Sequence, residues 1–460
     1  MSINELPNTA LLRIFDIYFD DNDSIDAWHP LVHVCRKWRN IDFGPPRRLN
    51  LHLHCTAGRP QAVRELLDVW PNSPIVIKLY DTPTWGVGNV FTAALAHPDR
   101  VCEVSLEMAA ISPRGVILAA MQVPFPSPIR LKFLREPIAP DSFLDGSATH
   151  PLSLGLPNLP LSASDLVRLT LRHIPHSSYI SPEAMVNCLT TLTKLEFLSL
   201  DFESPRSYPD RATLRPLLPT RSDLPALTQF EFRGVSEYVE DLVARINAPL
   251  LDDLYIIFFN QLIHDITHLA NFINRTPKLK PHNKAQVMFL DDAVQVLLGS
   301  LQKVILRTRC KPSDWQLSFV ADVCTSFLSL IPAPEHLFIC EGIHSRSRWQ
   351  DDIDNSQWLE FLHPFSKVKN LYLSEGVVPR IAPALQQLAE GRVTEVLPGL
   401  ESLFLEEPGV IDESCPSKPV QEAIGMFIAA RQLAKRHTNS RFWRGRGTSV
   451  VSQRFSGLFD

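Results

Sequence analysis

Residues 195–200 read LEFLSL, and the same apolar-x-x-apolar-x-apolar pattern returns along most of the chain. It recurs as VCEVSL from Val101, LVRLTL from Leu166, LTQFEF from Leu227 and LDDLYI from Leu251. LQKVIL from Leu301, VKNLYL from Val368 and LESLFL from Leu400 follow. PEHLFI, ending at Ile339, keeps only the last two apolar positions, and IRLKFL near Leu131 is similar. Successive side chains of a strand point to opposite faces. The last two apolar residues of each copy therefore share one face, and the residue between them points away from it.

The copies are unevenly spaced, by 29 residues (166 to 195), 32 (195 to 227), 24 (227 to 251) and 32 (368 to 400). An L-x-x-L-x-L pattern with a period near 20–29 residues marks leucine-rich repeats. Each repeat is a short strand plus a helix that can bury its apolar side only by stacking on a neighbour. The expected fold class is thus α/β, an irregular leucine-rich-repeat solenoid over residues 101–436. The intervening segments suit outer helices. SPEAMVNCLTTLT begins with a Ser-Pro entry, and IAPALQQLAEG ends on Gly391. QAVRELLDVW and VQEAIGMFIAARQLAKR read as helices at the two ends of the array. RRLNLHL and PIVIKLY read as strands of a connecting segment, residues 49–100, packed on the solenoid; residues 437–460 read as a C-terminal tail.

The 38 prolines against 18 glycines imply many fixed-φ connections between short elements. A net charge of −5 gives the chain no general electrostatic attraction to nucleic acid or anionic membrane. No apolar run approaches the roughly 18 residues that span a bilayer, and MSINELPNTALLRIF lacks the basic and apolar regions of a secretion signal. The 8 cysteines occur singly, with no C-x-x-C pair, which argues against a disulfide framework or a zinc knuckle. The reading is a soluble, reduced protein of the cytoplasm or nucleus.

At the N-terminus, Asn8 can cap a helix through TALLRIFDIYF whose apolar residues cover nearly the whole circumference. Such a helix must be buried all round. WHPLVHVCRKWRN, residues 28–40, follows as an amphipathic helix with Trp28, Leu31, Cys35 and Trp38 on one side and His29, His33, Arg36, Lys37 and Arg39 on the other. About fifty residues cannot bury that much apolar surface alone.

ELPNTALLRIF followed by LVHVCRKWRNI resembles an F-box, and together with PRRLNLHL it resembles a large fungal branch of F-box proteins. The resemblance implies a three-helix module at residues 1–48 that docks on a Skp-family adaptor and, through it, a cullin–RING ubiquitin ligase. Leu6, Pro7, Leu11, Leu12, Ile14, Phe15, Leu31, Val34, Cys35 and Trp38 match the motif and would form the adaptor-binding set. The chain departs from the motif at Asn8 and Thr9, where many F-boxes are acidic, and in its longer acidic inter-helix loop.

Sites for other chemistry are weak. HDITH, residues 264–268, imitates a zinc-binding H-E-x-x-H, but Asp265 replaces the Glu and no third ligand is apparent. GVGNVF from Gly86 lacks the third glycine of a dinucleotide loop. His52 and His54 share a strand face from which Cys55 points away, and no phosphate-binding or serine-nucleophile motif occurs. No catalytic residue, metal or cofactor is expected.

The residue between the paired apolar positions gives a column across the repeats. It reads Ser105, Lys132, Thr170, Ser199 and Glu231, then changes to Tyr255, Ile305, Phe338, Tyr372 and Phe404. Large apolar side chains on a solvent-facing sheet mark an interaction surface. The latter five residues are the expected site for a protein substrate. The alternative is that the chain's own tail, with Phe442 and Trp443, covers them. The function these readings converge on is substrate recognition for a ubiquitin ligase; a leucine-rich scaffold without a ubiquitination role is the alternative.

Overall fold

The computed structural model describes residues 166–174, 179–204, 221–259, 266–280, 283–299, 303–310, 313–328, 333–342, 354–406, 418–434 and 439–443. Nearer the N-terminus it describes residues 6–11, 13–14, 34–38, 53–55, 64–65, 67–68, 74–79, 93–94, 96–107 and 130–134. The chain divides into two units, residues 1–180 with 191–195, and residues 181–190 with 196–460.

In the first unit, β1 (Leu53–Cys55), β2 (Ile75–Leu79), β3 (Val101–Glu107), β4 (Arg130–Leu134) and β5 (Arg168–Ile174) pair in parallel, in sequence order. Ile75, Ile77, Val104, Leu169 and Leu171 alternate inward and are buried, as the pattern requires. Residues 8–11 and 13–14 are helical, as are 34 and 36–38. The Lys37 ammonium donates to the Leu6 carbonyl at 2.8 Å and ties these two stretches together.

The second unit carries the regular repeats. Its strands are β6 (Phe197–Phe202), β7 (Ser222–Asp223), β8 (Gln229–Gly234), β9 (Ile246–Asn247) and β10 (Asp253–Phe258). They are followed by β11 (Lys284–Phe289), β12 (Ala293–Leu298), β13 (Val304–Arg309), β14 (His336–Glu341), β15 (Asn370–Leu373), β16 (Ser402–Glu406) and β17 (Asn439–Trp443). Among the described residues the helices between them are α1 (Pro182–Leu189), α2 (Ser236–Arg245), α3 (Thr267–Arg275), α4 (Ser313–Leu328), α5 (Asn355–Leu362), α6 (Val378–Ala389) and α7 (Lys418–Leu433). Each helix packs against the next one in the chain. The result is a leucine-rich-repeat-like α/β fold.

The repeated apolar positions face the helices and form the core. Leu195, Leu198 and Leu200 are buried, as are Leu227, Phe230 and Phe232, Leu251, Leu254 and Ile256, and Val368, Leu371 and Leu373. At the last full copy Leu400 and Leu403 are buried, while Leu405 is half-buried near the end of the sheet. The repeats also share a backbone device. Leu227, Leu251, Leu279 and Leu400 each donate their N–H to the carbonyl three residues earlier, at 3.1–3.3 Å. Pro225, Pro249, Pro277 and Pro398 sit second in those turns, where a fixed φ pre-forms the bend. This is where part of the proline excess goes. The next two N–H groups then share one carbonyl of the preceding repeat. Thr228 and Gln229 donate to Glu196, Asp252 and Asp253 to Thr228, Lys369 and Asn370 to Glu335, and Glu401 and Ser402 to Lys369.

Between β10 and β14 the simple order fails. β13, not β11, pairs with β10 in parallel; β12 lies antiparallel between β13 and β11; and β11 pairs in parallel with β14. The sheet order is therefore β6-β8-β10-β13-β12-β11-β14-β15-β16-β17, with β7 and β9 forming a separate parallel pair. The β11–β12 turn is closed by Leu290 and Ala293, with Asp291 and Asp292 at its tip. Neither strand carries the repeat pattern. At the far end, residues 439–443 pair in parallel with β16. The sheet therefore extends beyond residue 436, and this part of the tail lengthens the sheet edge.

The helix starts follow local chemistry. Ser181 caps α1 by accepting from the Ala184 N–H at 3.2 Å, Asp354 caps α5, and Gly391 takes φ 101° just after α6. At α3 the cap position is Ile266, which has no side-chain oxygen. Glu240 of α2 supplies the acceptors, taking the His268 and Leu269 N–H groups at 2.7 and 2.8 Å. This cap couples adjacent repeats and sits near the positive end of the α3 dipole. Glu240→Ala should cost about 1–2 kcal/mol. Urea unfolding checks this, and an unchanged midpoint would refute the inter-repeat cap.

Candidate functional site

The strand register aligns the expected column. Within the second unit Ser199 opposes Glu231, Glu231 opposes Tyr255, and Tyr255 opposes Ile305. The row continues through Leu297 and Gln286 of the inserted strands to Phe338, Tyr372 and Phe404. In the first unit Ser105, Lys132 and Thr170 likewise align. In the second unit these residues lie on the sheet face opposite the buried leucines.

Phe338, Tyr372 and Phe404 form a ladder of stacked rings. The Phe338 and Tyr372 centroids lie 4.1 Å apart at 8°, and those of Tyr372 and Phe404 4.4 Å apart at 7°. These separations approach the spacing of parallel strands, about 4.8 Å, so the sheet itself sets the stack. His336, diagonal to Tyr372, lies 6.2 Å away at 25°. All three ladder rings are half-buried and keep an accessible edge. Burial raises the Tyr372 phenol above its usual pKa, so its hydroxyl is uncharged at neutral pH.

The first part of the expected apolar series behaves differently. Tyr255 is half-buried, but Ile305 is only 6% exposed. The inserted strands explain the difference. They bring Leu297 and Met288 beside Ile305 in a buried cluster, with Tyr255, Leu290 and Cys340 packed against it. Ile305 therefore belongs to a core patch and not to an open surface. The pattern-based reading missed Leu297 and Gln286 because β11 and β12 lie outside the repeat. The signal for them was AQVMF and AVQVLL, two β-prone runs either side of Leu-Asp-Asp.

Of the N-terminal set, Leu11 is fully buried and Trp38 is 6% exposed, whereas Ile14 and Val34 are 41% and 51% exposed. Leu6 and Cys35 are half-buried and Pro7 is exposed. Leu12, Phe15 and Leu31 lie outside the described residues, as do Gly86–Phe91 and the first two residues of HDITH. The side chains of His54, Cys55, Phe442 and Trp443 are likewise not described. Burial pushes the Cys188 and Cys340 thiols up to about 11 and raises Cys324 as well, the opposite of what a thiolate nucleophile needs. Among the described residues, no cluster of three or more His, Cys, Asp or Glu is placed to hold a metal. No described helix is long and apolar enough to cross a membrane.

No family model matches the chain, and no curated protein matches it. Among solved structures, it is similar to the leucine-rich repeat-containing protein LegL7 from Legionella pneumophila. That match has a TM-score of 0.28 and 14% identity, over 76% of this chain and 96% of that one. The repeat architecture rests on the strand register and buried ladders above, not on this likeness.

Proposed function

We propose that the chain is a protein-interaction scaffold that holds a partner protein on the open face of the repeat sheet. The observation that carries this reading is the Phe338–Tyr372–Phe404 ladder, three large rings stacked in register on the face away from the helices. Half-exposed aromatic side chains of this size are the residue types that anchor interfaces. No catalytic group is required, because the role is to position one protein against another.

The finer reading is substrate recognition for a cullin–RING ubiquitin ligase in the cytoplasm or nucleus, with residues 1–48 binding a Skp-family adaptor. It rests on the F-box resemblance, and one observation favours it. Ile14 and Val34, two apolar residues of the motif, remain exposed in the isolated chain, which supplies apolar surface for another protein to cover.

Affinity purification under proteasome inhibition tests both levels. Tyr372→Ala with Phe404→Ala should lose the protein partner and keep the adaptor. Ile14→Asp with Val34→Asp should lose adaptor affinity by about 2–4 kcal/mol if they are central anchors, while partner capture persists. A ladder variant that retains every partner removes the scaffold site. An Ile14/Val34 variant that binds purified adaptor normally removes the ligase reading and leaves the scaffold.

A further inference from the structure

On the same sheet face as the aromatic ladder, three strands and more away from it, β8 and β13 carry three arginines. Arg233 of β8 and Arg307 of β13 both oppose Ile257 in register, and Arg309 follows two residues on. Arg233 lies over the Phe259 ring at 5.8 Å. Arg307 and Arg309 are both close enough to Tyr255 to act on its side chain electrostatically.

These cations are incompletely satisfied. Arg233 approaches Asp201 at 3.6 Å and Arg307 approaches Asp292 at 3.9 Å, both longer than a hydrogen bond. Arg309 has no ion pair among the described residues, and the Nε of all three arginines is buried without a hydrogen-bond acceptor. The Nε atoms have no surface that an outside group could reach, but all three side chains are half-buried, so the remaining guanidinium N–H groups can take a ligand. A guanidinium fork is matched by a planar oxyanion.

We propose that this face binds an extended acidic segment of the partner protein, with a carboxylate on Arg233, Arg307 and Arg309 and an apolar side chain on the Phe338–Tyr372–Phe404 ladder. The proposal rests on the scaffold reading and adds the chemistry of what is bound. Three strand spacings of about 4.8 Å separate β13 from β14, roughly 14 Å, and an extended chain advances about 3.3 Å per residue. The acidic and apolar residues therefore stand about four positions apart. A carboxylate fits better than a phosphate dianion because Asp201, Glu231 and Asp292 border the arginines and would repel a second charge. The same acids break any continuous cationic track for nucleic acid.

The test is titration calorimetry of the full chain with synthetic peptides in which a Glu pair precedes a Trp by four residues. Matched peptides carry Gln for Glu, phosphoserine for Glu, or Ala for Trp. The Glu peptide should bind at least tenfold tighter than the Gln and Ala versions, and more weakly as salt rises. Arg309→Gln and Arg307→Gln should each lose about tenfold, with circular dichroism showing that both variants remain folded. Equal binding of Glu and Gln peptides, binding by the phosphoserine peptide alone, or no binding by any peptide overturns the proposal. Ladder-dependent capture of a protein partner would still stand in those cases. If the ladder variant instead retains every partner, it is the scaffold reading that fails.

Discussion

Replacing Arg431 with methionine should lower stability by about 3–5 kcal/mol, although the side chain touches no candidate site. Arg431 lies on α7 with no exposed surface. Its Nη1 donates to the carbonyls of Val393 at 3.0 Å and Leu397 at 3.2 Å, and its Nη2 to those of Pro398 at 3.4 Å and Leu400 at 2.9 Å. The guanidinium also sits 5.7 Å from the Phe427 ring. The loop it holds includes Leu397, a non-glycine residue at φ 51°, and leads directly into β16. Methionine restores much of the volume but none of the donors, leaving several buried carbonyls without them. Each such loss costs about 1–3 kcal/mol before relaxation, and hydrogen bonds from a charged donor are the stronger ones. Denaturant unfolding measures the loss, and amide exchange should show β16 opening first. A loss under 1 kcal/mol would mean that water satisfies the loop and that Arg431 is dispensable.

Trp358→Ala should have a comparable effect, about 3–5 kcal/mol. Trp358 is fully buried on α5 and meets Phe289 at 6.0 Å and 70°, and Phe361 at 5.8 Å and 76°. Phe361 in turn packs on Phe365. Phe289 belongs to β11, so this cluster attaches the inserted strands to the regular helix layer. The cavity left by removing an indole cannot collapse while the sheet fixes the surrounding backbone. Trp358→Phe should recover most of the loss. Thermal unfolding of the two variants makes the comparison, and an alanine variant within 1 kcal/mol of wild type would show that Phe289 and Phe361 close the gap.

The strands at Leu198, Phe230, Leu254, Leu371 and Leu403 were legible because burying one face leaves a two-residue period in the sequence. The alignment of Phe338, Tyr372 and Phe404 was legible for the same reason, since register fixes what lies opposite. The proline turns were written in the chain as x-Pro-x-Leu ahead of several strands, a signal present at Pro225, Pro249, Pro277 and Pro398. What the pattern could not convey is neighbour choice. LQKVIL identifies β13 as a strand but contains nothing to say that it pairs with β10 across the intervening hairpin. Ile305 accordingly looked solvent-facing when its true neighbours cover it. The arginine cluster was obscured for a related reason: Arg233 and Arg307 are far apart in sequence and meet only through Ile257.

The inserted strands number two, and that parity matters. Each antiparallel step reverses chain direction, so one extra strand would turn every later repeat upside down and move its helices to the wrong face. Two reversals restore the original polarity: β13 matches β10, and β14 matches β11. Because both flanks point the same way, removing β11 and β12 together would bring β13 beside β14 with all strands aligned. A repeat array can thus widen its binding face by a hairpin without re-encoding the repeats that follow.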